Sequence, residues 1–312
     1  MKKLYLLFSL LLLVCPAMAF PQCVEGDCVS GEGSFVFSDG SKYKGYFTEN
    51  TPHGDGIMTR VDGTKITGKF VNGSENGRGT IAYVDGKKYL GQFYNHVPNG
   101  QGVMEHTSGD TYNGQWRGGE FAFGRVEIVL SDGTTYKGQY RNGQYNGKGT
   151  INLPDGTKYS GIFAKGVYNG KGLLTLSNDI TFEGNFKDGK YSGKGKLTTN
   201  ESTYEGDFKE GEFQGQGNLF LKSGVKYIGY FRNGKLNGNG LMTSPDGTKY
   251  GGDWKDGIYN GYGSLVMANG TKYAGNFKMG KYHGKGVLTK ADGTKLDGEF
   301  KDGEYVEKEK SE

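Results

Sequence analysis

Tyr136–Lys158 reads YKGQYRNGQYNGKGTINLPDGTK, and the residues directly after it, Tyr159–Thr181, read YSGIFAKGVYNGKGLLTLSNDIT. Aligned, the two segments share aromatic residues at positions 1, 5 and 10 and glycine at positions 3, 8, 12 and 14. Tyr250–Lys272, YGGDWKDGIYNGYGSLVMANGTK, repeats the pattern. First positions fall at Tyr43, Ile66, Tyr89, Tyr112, Tyr136, Tyr159, Phe182, Tyr204, Tyr227, Tyr250, Tyr273 and Leu296. The spacing is 23 throughout, except 24 before Tyr136 and 22 before Tyr204. A fixed period of this length marks an array of small units that cannot bury their apolar faces alone.

One unit reads as a β-hairpin. Alternate residues of a strand share a face, so Tyr136, Gly138 and Tyr140 share one, with a glycine leaving room between two rings. Asn142-Gly143 is a tight hairpin turn signal. A second strand follows, with Gly147-x-Gly149 at its start, Ile151 within it and Leu153 near its end. Asp155-Gly156 then turns the chain into the next unit. Position 5 is aromatic in all twelve units: Phe47, Phe70, Phe93, Trp116, Tyr140, Phe163, Phe186, Phe208, Phe231, Trp254, Phe277 and Phe300. These are the expected core rings. The fold class expected is all-β: an elongated, twisted, single-layer antiparallel sheet built from tandem 23-residue hairpins.

The composition agrees. The chain of 312 residues carries 58 glycines, and 55 of them fall in five columns of the repeat, at positions 3, 8, 12, 14 and 21. So much glycine excludes a mainly helical protein. With 22 Tyr, 18 Phe and 2 Trp the chain is not a flexible linker. The net charge of +4 is made of interspersed signs, which gives no reason to expect nucleic acid.

The ends differ from the array. Lys2 and Lys3, the apolar run Leu4–Val14 and Ala17-Met18-Ala19 form a signal-peptide pattern over 1–19, cleaved after Ala19. Val14 before Cys15 argues against a lipoprotein site. Residues 20–42 read as an N-terminal capping half-repeat. An even pair of cysteines in an exported chain favours a Cys23–Cys28 disulfide stapling that hairpin. The array occupies 43–305, and 306–312 is a charged tail. Unit four is irregular: Gly118–Gly124 carries an extra residue, and Val126 falls at the place of the second glycine of G-x-G. Units one to three place Asn50 and His96 at position 8, and Pro52, Glu75 and Pro98 at position 10.

The pattern YxGxFxxGxxxGxGxxxxxDGxx, twelve times in register, resembles the MORN repeat (membrane occupation and recognition nexus). The N-terminal C-x-x-G-x-C-x-x-G-x-G segment is similar to the start of exported bacterial proteins built only from such repeats. The resemblance implies a hairpin array used for protein scaffolding, dimerisation or lipid head-group binding, with catalysis only where a separate domain is attached.

No catalytic, cofactor-binding or metal site is expected, and no cofactor. His53, His96, His106 and His283 are scattered, and His53 and His283 stand where other units carry Asn. The G-x-G runs open strands rather than helices, so they are not phosphate loops. The function expected is a non-enzymatic, exported scaffold in the periplasm, cell envelope or extracellular space. Its partner is expected to be a protein of unknown identity, with a second copy of the chain as a further candidate. A cell-envelope polymer or carbohydrate could meet aromatic rows. Anionic lipid could meet the lysines that recur at positions 13 and 23, such as Lys148, Lys158, Lys171 and Lys194, though these alternate with carboxylates.

Overall fold

The computed structural model describes residues 20–307, so the signal-peptide reading of 1–19 and most of the charged tail lie outside the described residues. It is all-β, a single open antiparallel sheet of 26 strands made of tandem hairpins. The strands of one unit run from position 23 of the preceding unit to position 6, and from 9 to 17, as in Thr135–Arg141 and Gln144–Asn152. By contact the chain divides into two compact units, Met1–Gly124 and Arg125–Glu312.

In the C-terminal unit the five glycine columns separate into two physical classes. Columns 8, 12 and 21 are conformational. Asn142 and Gly143 take φ of 48° and 77°, the pair of left-handed residues that a two-residue hairpin turn with the sheet's own twist requires. Gly156, at φ 90°, closes the wider turn, where the Leu153 N–H donates to the Thr157 carbonyl and the Gly156 N–H to that of Leu153. Leu153, read from sequence as a strand residue, thus belongs to the turn.

Columns 3 and 14 are columns of close approach. They form a continuous ladder of cross-strand partners, Gly138↔Gly149↔Gly161↔Gly172↔Gly184↔Gly195 and onward to Gly286↔Gly298. At most steps the position-1 ring lies close over the glycine pair, as Tyr136 does over Gly138 and Gly149. A Cβ on Gly172 would fall 2.5 Å from Tyr159 ring atoms, well inside contact distance.

Beyond the ladder the register shifts, and Tyr140 faces Tyr145. Asn146, Gly147 and Lys148 therefore stand against the lone Gln139. The bulge disrupts the ladder locally, and the Tyr136 hydroxyl donates to the Gln139 carbonyl at 2.6 Å. Tyr159, Tyr250 and Tyr273 donate in the same way to the residue three ahead. Each such tyrosine thus buries its ring and satisfies its polar end.

The rings make one repeating motif. Position 1 stacks on position 10 of its own unit at 3.7–3.8 Å: Tyr136 on Tyr145, Tyr159 on Tyr168, Phe182 on Tyr191, Tyr204 on Phe213, Tyr250 on Tyr259 and Tyr273 on Tyr282. It also meets position 5 of its own unit and of the next edge-on, as Tyr159 does with Phe163 and Phe186 at 5.1 Å. Leu236 interrupts the series. It is buried at position 10, and Tyr227 at position 1 is only half-buried.

The N-terminal unit has the same ladder, from Gly33↔Gly45 to Gly102↔Gly114, with different contents. Its first hairpin, Gln22–Gly26 with Glu32–Val36, carries the Cys23–Cys28 disulfide. Cys28 is buried against Tyr43, Phe47 and Phe70, its sulfur over Gly33 where other units place a ring.

Unit four corrects one register reading. Val126 does not take the place of the ladder glycine; Gly124 does, its Cα 2.6 Å from where a Gly114 Cβ would be. The strand Glu120–Val129 has ten residues instead of nine. It lacks the residue that would complete the bulge before Gly124 and gains two after it, burying both Val126 and Ile128. An insertion count alone could not reveal that exchange.

Candidate functional site

The ring face is closed. Eleven of the twelve position-5 aromatics, Phe47, Phe70, Phe93, Trp116, Phe163, Phe186, Phe208, Phe231, Trp254, Phe277 and Phe300, are at most 5% exposed, and Tyr140 is half-buried. Both tryptophans use their indole N–H internally, Trp116 donating to the Gly102 carbonyl at 3.1 Å and Trp254 to that of Gly240 at 3.0 Å. Burial pushes the phenols of Tyr136, Tyr159, Tyr204 and Tyr259 up to about 12. These rings hold the sheet together and are not placed to stack on a ligand.

The opposite face is open and presents positions 2, 4, 13 and 15. Because the ladder carries no side chains, its backbone floors a groove between two side-chain rows in the C-terminal unit. One row is Ser160, Leu173, Glu183, Lys196, Glu205 and Asn218, successive cross-strand partners. The other is Lys171, Asn185, Lys194 and Gln216. The groove encloses about 1040 Å³. A second stretch of about 580 Å³ shares Ser160 and Lys171 and adds Arg125, Lys137, Lys148, Thr150 and Ile162.

Its charge is mixed. Lys137 pairs with Glu127 at 2.6 Å and Lys194 with Asp207 at 3.7 Å. Glu183 and Glu205 flank Lys196 across the strands. Lys148 and Lys171 make no ion pair among the described residues. Lys158, at the beginning of its strand, does not line the groove. Sequence reasoning picked out the rings because they recur most strictly. The groove rows alternate with them along each strand, and that alternation was the available signal.

Among the described residues no three His, Cys, Asp or Glu side chains converge as metal ligands. The His53 carbonyl accepts from the Tyr43 hydroxyl at 3.3 Å, a structural contact. No helix among the described residues is long and apolar enough to cross a membrane.

The MORN repeat family model matches at residues 43–65, 67–88, 89–111, 136–158, 159–180, 182–201, 204–225, 227–249, 250–272 and 273–295. The irregular fourth unit is the gap in that series. No curated protein matches the chain in sequence. Among solved structures it is similar to the E1021V mutant of the TCP10 domain of Danio rerio CPAP. That match has 14% identity and TM-score 0.29, and covers 69% of this chain and 94% of that one. Another is the Drosophila melanogaster SAS-4 TCP domain in complex with a proline-rich motif of Ana2, at 10% identity and TM-score 0.21, covering 81% and 99%.

Proposed function

The chain belongs to the MORN repeat family, and we propose that it works as an exported scaffold that holds protein partners along the open face of its sheet. The observation that carries this reading is the groove over the glycine ladder. It offers exposed backbone and side chains of both charge signs over several successive repeats, a surface suited to an extended protein segment. The array itself is read as binding machinery rather than as an enzyme, as is usual for this repeat. Anionic lipid is a poorer fit, because recognition of such membranes draws on dense clusters of basic residues, whereas here Lys137 and Lys194 pair with carboxylates and Glu183 and Glu205 flank Lys196. A carbohydrate platform is also a poorer fit, because both tryptophans are buried.

Export rests on the pattern of residues 1–19 and on the disulfide, a bond that persists in oxidising compartments. Amino-terminal sequencing of the protein from the exported fraction should begin at Phe20; a chain retaining Met1 rejects export by this route. For the scaffold, crosslinking in the native host followed by mass spectrometry should join a defined protein to Lys171, Lys194 or Lys196. Lys171→Glu with Lys194→Glu should abolish that crosslink. Recovery of no specific protein, with binding to anionic vesicles or purified cell wall instead, overturns the scaffold reading.

A further inference from the structure

The open face of the C-terminal unit changes its chemistry from repeat to repeat. Position 13 carries Lys148, Lys171 and Lys194 in three successive repeats, then Gln216, Asn239 and Tyr262 in the next three. The row of positions 2 and 15 changes with it. Beyond Asn218 it runs through Ile228, Leu241, Gly251, Ser264, Ala274 and Val287, successive cross-strand partners without a charge. Ile228, Tyr230, Leu241 and Tyr262 are 45%, 43%, 42% and 64% exposed there. Asp253 is tied back to the sheet, its Oδ2 accepting from the Tyr262 N–H at 3.1 Å. Exposed apolar side chains gathered on one face mark a contact surface.

The other end is basic. Arg125, Lys148 and Lys171 line the groove and make no ion pair among the described residues. Unpaired cations favour a partner that brings carboxylates. Between the two ends the charges cancel: Lys196 stands between Glu183 and Glu205, and Lys194 pairs with Asp207. Six cross-strand pairings separate the strand of Lys171 from that of Leu241. At about 4.8 Å per strand the gap is about 29 Å, which an extended segment crosses in about nine residues.

We propose that the groove takes one extended segment of a partner protein, built of two blocks. Carboxylates lie over Arg125, Lys148 and Lys171, and aromatic or branched apolar side chains lie over Ile228, Tyr230, Leu241 and Tyr262, about nine residues further on. This rests on the scaffold reading and names the chemistry of its partner. Charge complementarity fixes which block lies at which end. A lipid surface fits less well. It would press anionic head groups against Glu183, Glu205 and Asp207 between the two contacts, whereas a peptide can place neutral or matching side chains there.

The test uses fluorescent peptides with a block of four glutamates and a Phe-Leu-Phe block, joined by a Gly/Ser spacer of four or twelve residues. Each is titrated onto the full-length chain. A spacer of four reaches at most about 14 Å and a spacer of twelve about 40 Å, so only the longer lets both blocks dock together. It should bind at least about tenfold more tightly. Lys148→Glu with Lys171→Glu should erase that advantage, and so should Gly251→Lys alone. A Cβ on Gly251 meets only Leu241 Cδ1, at 3.6 Å, so this variant should fold. Equal affinity for the two spacers, or an advantage that survives Gly251→Lys, overturns the two-block segment. Binding to anionic vesicles that both variants lose assigns the surface to a membrane and overturns it too. If a native protein still crosslinks to Lys171 when the peptides fail, the scaffold reading stands without this inference; if none does, both fall.

Discussion

The two compact units share a ladder, a turn pair and a period, yet they fill position 10 differently. The C-terminal unit stacks a ring there on position 1 in six repeats. The N-terminal unit has Pro52, Glu75 and Pro98 at that position, and Phe121 meets Tyr112 edge-on at 5.5 Å. The comparison separates what the fold demands from what it permits. The glycine ladder and the position-5 ring occur in both units and make the sheet. The position-10 ring adds stability where it occurs, and where it is missing its slot accepts a proline, a leucine or a buried carboxylate.

Alkaline pH should break the comparison most strongly. The buried phenols of Tyr136, Tyr159, Tyr204 and Tyr259 are raised to about 12, against an ordinary value near 10. Below pH 10 they are neutral in both folded and unfolded chains, and their contribution is complete. Above pH 10 the unfolded chain ionises first, so stability falls as pH rises through 12. Tyr43 and Tyr89 are raised similarly in the N-terminal unit, but the C-terminal unit holds more such groups. Its amides should therefore lose hydrogen-exchange protection more steeply between pH 10 and 12.

Tyr168→Ala removes a stacked ring and should cost about 3–5 kcal/mol in denaturant unfolding, the range for aromatic truncation in a core. Gly172→Ala drives a Cβ into the Tyr159 ring and should cost about 3 kcal/mol. Gly68→Ala, at position 3 of the same kind of ladder, is the comparison. Ile66 stands at position 1 there, the nearest atom to the new Cβ is at 3.2 Å, and about 1 kcal/mol is expected. Equal costs at the two glycines would show that ring cover is not what excludes a side chain. Reducing Cys23–Cys28 opens a short loop and should cost about 2 kcal/mol, seen in the exchange of the N-terminal unit alone. Pro98→Tyr offers Tyr89 a stacking partner and should add about 1 kcal/mol. No gain would mean that stacking depends on more than the residue at position 10.

Most of the fold was legible because the repeat is redundant. Twelve copies of one hairpin average out local noise, and Asn-Gly and Asp-Gly mark the turns directly. Three things were not legible. The glycine columns look alike in sequence, yet Gly143 answers to a backbone angle and Gly149 to a neighbouring ring. The compensating changes around Gly124 hide behind a net gain of one residue. His96 and Glu75 stood out only as deviations, because their contact joins residues 21 apart through the stacking of two repeats.

One further consequence follows from the backbone ties between neighbours. In the C-terminal unit the turn N–H of each repeat bonds the position-10 carbonyl of the one before, as Gly166 does with Tyr145 and Gly189 with Tyr168. The extensive strand contacts likewise join only consecutive strands. Under tension such a structure has no long-range lock that must fail all at once. Each 23-residue repeat spans about 10 Å folded and about 80 Å extended, so each would yield about 70 Å of slack as it opens. A chain tethered at both ends would lengthen in equal steps and recover them on release, absorbing strain between whatever it connects.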